Sequence, residues 1–143
     1  MSELFNTLTK PLIGMPVSHV WRGLHSAIFI EFGELSKNEQ KRNPKGEYSL
    51  MLDCGWRIEK PKSIWIGSYI TGKRRIDNQI KKINGNIVTR IETIGYLPEI
   101  VISLTPTARI VSFTIYGTQP NWSLCLPDGY WLSCKRGIIV KTK

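Results

Sequence analysis

The segment from Gly67 to Arg74 is the part of the chain that comes nearest to a known chemical motif. It reads Gly-Ser-Tyr-Ile-Thr-Gly-Lys-Arg and follows a strand-like stretch. A phosphate-binding P-loop has the pattern G-x-x-x-x-G-K-[ST], and its final hydroxyl group holds Mg²⁺. Arg74 stands at that final position, so the hydroxyl group is missing. We therefore interpret the segment as a glycine-bounded loop before a basic helix rather than as a nucleotide-binding site.

Four side chains are candidates for acid–base chemistry: His19, His25, Glu31 and Asp53. They show no Ser-His-Asp or Cys-His spacing, although a triad is assembled in space and sequence order does not exclude one. His19 is predicted to point outward from a strand, where a lone histidine is more often a surface residue than a base. We therefore assign no catalytic residue.

The three cysteines, Cys54, Cys125 and Cys134, are predicted to be reduced thiols. Their number is odd, and no pair has C-x-x-C spacing. A zinc site needs about four closely spaced ligands, which this chain lacks, so neither a metal nor a cofactor is predicted. The chain has no signal-like start and no apolar run near the roughly 18 residues of a membrane span. These features predict a cytoplasmic protein without a membrane partner.

Positive charge is concentrated in the middle of the chain. The net charge is +9, from 20 Lys and Arg against 11 Asp and Glu, and residues 57–82 alone hold eight bases and two acids. Trp65 and Tyr69 lie in the same stretch, and aromatic side chains beside cations are used to hold single-stranded nucleic acid. The charge can equally serve an acidic protein partner or simple solubility.

An internal repeat organises the chain. Three pairs of segments align: 12–20 with 83–91, 27–32 with 99–104, and 49–52 with 112–115. The sharpest match is a spacing of tryptophan, proline and tryptophan that occurs twice: Trp56, Pro61 and Trp65, then Trp122, Pro127 and Trp131. Four of the five tryptophans fall on this pattern, so chance is a poor explanation. We infer two copies of one unit, residues 11–70 and 82–143.

The composition predicts that each copy is made of strands. The chain has 19 Ile, 6 Val and 10 Thr against 2 Ala, and β-branched side chains favour pleated sheet over helix. The fold class is therefore mainly β, in a single domain over residues 1–143. Each copy is predicted to be a β-meander, and the two meanders to pack as a sandwich or barrel with pseudo-two-fold symmetry. One short linker helix is expected at about 72–83 because Ile76, Ile80 and Ile83 share a helical face.

The repeat separates residues expected to hold the fold from residues expected to bind a partner. Side chains present in both copies serve the fold they share, so four are predicted as core: Trp56, Trp65, Trp122 and Trp131. Partner-specific residues should lie where the copies differ, namely the long loop 33–46 and the linker helix, which is expected to have no counterpart. Nine basic side chains there are the predicted partner-binding residues: Lys37, Lys41, Arg42, Lys45, Lys73, Arg74, Arg75, Lys81 and Lys82.

The opening L-x-G-x-x-V, the Trp56-Arg57-Ile58 strand and the proline turn after it together resemble small bacterial β proteins of unknown function. Some of these are similar to immunity proteins encoded beside polymorphic toxins. The resemblance covers most of the chain, and its motifs are structural. It implies a non-enzymatic, protein-binding role in which a stable domain neutralises a cognate toxin, and the basic charge then implies an acidic surface on that toxin domain. The alternatives are a basic nucleic-acid-binding domain and a small enzyme with a site between the two repeats.

Overall fold

The structure is a computed structural model that describes residues 2–37, 43–70 and 72–143. Eleven strands and two α-helices are found within those residues. Their order is α1 Glu3–Thr9, β1 Val17–Arg22, β2 Ile28–Phe32, β3 Tyr48–Leu52, β4 Trp56–Lys60, β5 Ser63–Gly67, α2 Lys73–Ile80, β6 Val88–Ile94, β7 Glu99–Leu104, β8 Ala108–Ser112, β9 Trp122–Cys125, β10 Trp131–Lys135 and β11 Ile138–Thr142. Among the described residues, neither helix has the length and apolar character needed to cross a lipid bilayer.

The strands form two antiparallel sheets, which confirms the mainly β prediction and favours a sandwich over a barrel. The six-stranded sheet has the order β1-β2-β3-β9-β10-β11, and the five-stranded sheet has the order β5-β4-β8-β7-β6. Alternating side chains explain why the sheets pack together. In β2, for example, Ile28, Ile30 and Phe32 are fully buried in the shared core, and the residues between them point to the other face.

Each sheet is built from both halves of the chain. Strands β1 to β3 of the first half share a sheet with β9 to β11 of the second, through the pairing of β3 with β9. Strands β4 and β5 share the other sheet with β6 to β8, through the pairing of β4 with β8. The prediction that each copy forms its own five-stranded meander is therefore wrong. The place beside β3 is taken by β9, where Leu50 lies opposite Leu124, so the chain crosses to the other sheet through the three residues 53–55. Gly55 permits this turn, since it has a φ of 92°.

A helix opens each half, which corrects the prediction that the linker helix has no counterpart. The linker helix covers α2 and a 3-10 turn, Lys81–Ile83, in agreement with the expected 72–83. Helix α1 is followed in the same way by the 3-10 turn Lys10–Leu12. Both buried faces keep the same spacing: Phe5, Thr9 and Leu12 in the first half, and Ile76, Ile80 and Ile83 in the second. The sequence signals a short helix around Ser2 to Leu8 only weakly, because threonine takes the middle place on the buried face of α1.

The two halves meet through reciprocal hydrogen bonds. The main-chain N–H of Gly14 donates to the carbonyl of Val88 at 2.8 Å, and that of Gly85 donates to the carbonyl of Val17 at 2.7 Å. Such paired bonds are what a two-fold contact produces. Pseudo-two-fold symmetry of the whole domain stays a prediction, which superposition of residues 12–66 on residues 83–132 tests. One aligned pair is already wrong, since residues 113–115 lie beyond the end of β8.

The four repeated tryptophans fall into two classes. Trp56 and Trp122 are 0% and 1% exposed, and each indole N–H donates to a carbonyl before a strand: Trp56 to Ser26 at 2.7 Å and Trp122 to Pro98 at 2.8 Å. Trp65 is half-buried against the edge of the core. Trp131 is half-buried on the outer face of the six-stranded sheet, so its prediction as a core residue is wrong. Its strand places it in register with Cys125, whose side chain also points outward.

Candidate functional site

A cavity of about 410 Å³ lies on the outer face of the six-stranded sheet. We call it the outer pocket. It is lined by Trp21, Phe29, Glu31, Asn43, Pro44, Lys45, Ser49 and Trp131. The volume is within the range of small-molecule and side-chain binding sites, and the lining is mostly apolar with a few polar groups, as such sites usually are.

Strand register brings the pocket residues together from both halves of the chain. Glu31 on β2 pairs with Ser49 on β3, Ser49 pairs with Cys125 on β9, and Cys125 pairs with Trp131 on β10. Successive side chains of a strand point to opposite faces, so this row lies on the outside, while the neighbouring leucines lie in the core. The pocket therefore spans the junction of β3 and β9, where the two halves of the chain meet.

Two aromatic rings form one wall of the outer pocket. Trp21 on β1 and Phe29 on β2 are paired across the strands and stack with centroids 4.1 Å apart and planes 8° apart. Trp131 supplies a third ring from β10. Aromatic side chains offer a large contact area at a low cost in conformational entropy, so this arrangement suits the capture of an apolar or planar group.

A buried carboxylate forms the polar part of the pocket. Glu31 is 1% exposed and accepts three hydrogen bonds: from Trp21 Nε1 at 2.9 Å, from Ser49 Oγ at 3.0 Å and from the Gly46 N–H at 3.1 Å. A buried charge needs such partners because burial removes its hydration. The last bond ties the returning end of loop 33–46 to the sheet. Gly46 is needed there, since a Cβ would lie 2.5 Å from the Phe32 carbonyl oxygen.

Lys45 brings a cation to the opposite side of the pocket. Its residue is exposed, but its Nζ reaches inward to 2.9 Å from the sulfur of Cys125 and lies 5.8 Å from the centroid of the Trp131 ring. Cys125 is fully buried. The pocket thus has a carboxylate on one side, an ammonium group on the other and aromatic rings on the walls.

The matching face of the five-stranded sheet has a different chemistry. In the repeat alignment, Glu31 corresponds to Ser103 and Phe29 corresponds to Val101. A cavity of about 500 Å³ on that face is lined by Lys60, Lys62 and Arg109 among other residues. At these two aligned positions, the outer face of the five-stranded sheet therefore lacks the carboxylate and the phenyl ring that line the outer pocket of the six-stranded sheet.

Seven of the nine basic residues predicted to bind a partner lie in the part of the chain that the structure describes. Lys41 and Arg42 lie outside the described residues, and Lys37 is exposed. Of the two predicted loop residues that the structure describes, Lys45 lines the outer pocket and Lys37 does not. The five bases of the linker helix are all exposed: Lys73, Arg74, Arg75, Lys81 and Lys82. Helix α2 is held to the end of β1 by an ion pair of 2.8 Å between Arg22 and Asp77.

Two of the four acid–base candidates, His19 on β1 and Glu31 on β2, are paired across the strands, whereas His25 and Asp53 are exposed residues outside the strands. His19 Nε2 lies 2.9 Å from Asn43 Oδ1, which fixes the loop beside the pocket, and Glu31 is in the pocket itself. In the part of the chain that the structure describes, no three His, Cys, Asp or Glu side chains are grouped so that they could hold a metal ion. Sequence reasoning missed Trp21 and Phe29. The sequence does hold a signal that could have identified them: in the repeat alignment, the second copy has Glu92 at the position of Trp21 and Val101 at the position of Phe29.

Two thiols outside the pocket differ in accessibility. Cys54 is exposed, and Cys134 is buried. Burial raises the pKa of the Cys134 thiol, because the thiolate would lose its hydration in the core.

Comparison of the chain with protein-family models, with curated proteins and with solved structures gave no match.

Proposed function

We propose that this protein is a non-enzymatic protein-binding domain of the immunity type, which neutralises a cognate toxin by docking on the outer pocket. The observation that carries the proposal is the pocket at the junction of the two halves, which is lined by three aromatic rings and the buried Glu31 carboxylate. Binding energy in protein interfaces is concentrated in a few buried anchors that enter such pockets. The pocket would receive one apolar or aromatic side chain of the partner.

The charge of the chain supports a partner with an acidic surface. The net charge is +9, and Lys37, Lys45 and the bases of α2 are exposed. Opposite charge steers a partner toward a surface and raises the association rate, whereas the anchor in the pocket sets the dissociation rate. We therefore assign affinity to the pocket and the rate of encounter to these exposed basic side chains.

The test is a capture experiment with a matched pair of tryptophan variants. The protein is immobilised and exposed to lysate of its source cell, and bound proteins are identified by mass spectrometry. Trp131→Ala removes a ring from the outer pocket, while Trp65→Ala removes the ring at the corresponding place in the other half. The partner is the protein that the wild type and Trp65→Ala retain and Trp131→Ala loses. The purified pair must then show a Kd at least tenfold weaker for Trp131→Ala.

Two further results decide between immunity and binding of another kind. Expression of the identified partner alone should arrest growth, and co-expression of the wild-type protein should restore it. Arg74→Glu with Arg75→Glu should slow association without changing the dissociation rate, because these exposed side chains act through long-range charge. A partner that binds equally well to Trp131→Ala would remove the pocket from the interface, and a partner that never arrests growth would remove the immunity role.

A nucleic-acid-binding role has one specific observation in its favour. The cavity on the five-stranded sheet is lined by Lys60, Lys62 and Arg109, and Lys60 Nζ lies 4.8 Å from the centroid of the Trp65 ring. Cations beside an exposed ring edge suit a phosphate backbone with a stacked base. Binding of a single-stranded oligonucleotide should then fall steeply with salt, since each neutralised phosphate releases counterions. Sub-micromolar binding at physiological salt, lost in Lys60→Glu, would place this role above protein binding.

A further inference from the structure

An amine and a thiol stand in unusually close contact beside the outer pocket. Lys45 Nζ lies 2.9 Å from Cys125 Sγ, and 80 positions separate the two residues in the sequence. Reacting groups held about 3–3.5 Å apart are already near the geometry of attack. The two residues come from different halves of the chain, so a bond between them would join the halves beside the pocket.

The main chain around Lys45 is held from both sides. Its carbonyl accepts the N–H of Ser36 at 2.8 Å, which closes the base of loop 33–46. The next residue, Gly46, donates to the buried Glu31 carboxylate. Lys45 can therefore swing only its side chain, and the side chain points at the sulfur. This pre-organisation reduces the entropy that a reaction between the two groups would otherwise lose.

The pocket gives a small oxidant a path toward the sulfur. Cys125 is fully buried, but both of its neighbours in the row across the sheet, Ser49 and Trp131, line the pocket together with Lys45. A peroxide molecule in the pocket would therefore lie next to Lys45, whose Nζ contacts the sulfur. Movement of an exposed lysine side chain occurs on the nanosecond scale, so burial in the resting structure does not block the reaction.

We propose that peroxide oxidation joins Lys45 to Cys125 through a covalent nitrogen–sulfur bond. In the first step the thiol attacks hydrogen peroxide, the O–O bond breaks, and sulfenic acid and water form. In the second step Lys45, after releasing one proton to solvent, attacks the sulfur with its lone pair. The S–O bond breaks, and the hydroxide leaves as water with a proton from the nitrogen. The sulfur is oxidised by two electrons, and the peroxide is reduced to water.

The cross-link would strap loop 33–46 to β9 and fix the ammonium side of the pocket. It goes beyond the proposed binding role, because it requires no partner. Neither of the other thiols offers the same arrangement. Cys54 is exposed, and Cys134 is buried where its thiolate is disfavoured. Cys134 therefore serves as an internal reference for general oxidation.

The experiment uses the full chain with Cys54→Ser, so that the exposed thiol does not consume the oxidant. The folded protein is treated with hydrogen peroxide, unfolded without reductant, digested and mapped by mass spectrometry. We expect one linked peptide pair containing Lys45 and Cys125, about 2 Da lighter than the sum of the two peptides, and its reversal by dithiothreitol. Cys134 should remain a free thiol.

Matched variants separate the cross-link from general thiol oxidation. Lys45→Arg keeps the positive charge but has no primary amine, and Lys37→Arg changes an exposed lysine of the same loop. The linked pair should disappear in Lys45→Arg and in Cys125→Ser and persist in Lys37→Arg, with circular dichroism showing that all three variants are folded. Cys125 recovered as sulfinic acid with Lys45 free would overturn the proposal. A linked pair heavier by about 14 Da would overturn the condensation step, since it would show a retained oxygen.

Discussion

Trp21 donates its indole N–H to the carboxylate of Glu31 across 2.9 Å on the outer face of the six-stranded sheet. The contact joins a ring of the outer pocket to a side chain that is itself almost completely buried. Glu31 also accepts from Ser49 and Gly46, so a single carboxylate positions the aromatic wall, the sheet and the returning loop. Removal of this carboxylate should therefore affect all three.

Glu31→Ala is expected to lower the free energy of unfolding by about 1–3 kcal/mol, because buried donors are left without an acceptor. Glu31→Gln keeps an acceptor oxygen and should lower the free energy of unfolding by a smaller amount. Urea denaturation followed by circular dichroism measures both. Glu34→Ala, at an exposed position near the start of the same loop, is the control and should change the value by no more than about 0.5 kcal/mol. Equal stabilities of Glu31→Ala and the control would show that the three donors find other partners.

Trp56→Ala and Trp122→Ala are each expected to cost about 3–5 kcal/mol of unfolding free energy. Each variant loses a large buried ring and a hydrogen bond to a main-chain carbonyl. Trp131→Ala should cost clearly less, since its ring is half-exposed. Guanidinium denaturation of the three purified variants provides the comparison. An unchanged midpoint for either core variant would contradict the burial on which this order of effects rests.

Each sheet contains strands from both halves of the chain, which predicts that the two halves fold only together. Residues 1–70 alone would leave β3 without β9, and residues 71–143 alone would leave β8 without β4. Unpaired strand edges and an open core make such fragments prone to aggregation. Co-expression of the two fragments should give a soluble one-to-one complex with the circular dichroism of the intact protein. A half that is monomeric and cooperatively folded by itself would contradict the exchanged pairing.

The thiols should differ in their rates of reaction with Ellman's reagent at mildly alkaline pH. Cys54 is exposed and should react first, whereas Cys134 should react only as the protein unfolds. Burial raises the pKa of Cys134, and the thiolate is the reacting form. Cys54→Ser should remove the fast phase and leave the slow one. A fast phase that survives in Cys54→Ser would mean that one of the buried thiols is reached through the folded state.

The sequence alone was enough to predict the β class, the linker helix and the importance of a repeated tryptophan. Composition fixes the first, because 35 β-branched residues against two alanines favour strands wherever the chain is buried. The spacing of Ile76, Ile80 and Ile83 fixes the second. The first depends only on which residue types the chain contains and the second only on their order along a single element, and the sequence states both directly.

The pairing of strands from different halves of the chain and the outer pocket could be recognised only in the tertiary structure. Trp65 and Trp131 are indistinguishable in the repeat, yet one packs against the core and the other lines the pocket. Glu31, Cys125 and Trp131 become neighbours only through the pairing of β2 with β3, of β3 with β9 and of β9 with β10. Local pattern predicts which face of a strand is apolar, but the choice of pairing partner is decided by packing between residues that are far apart in the chain, and that choice created the site.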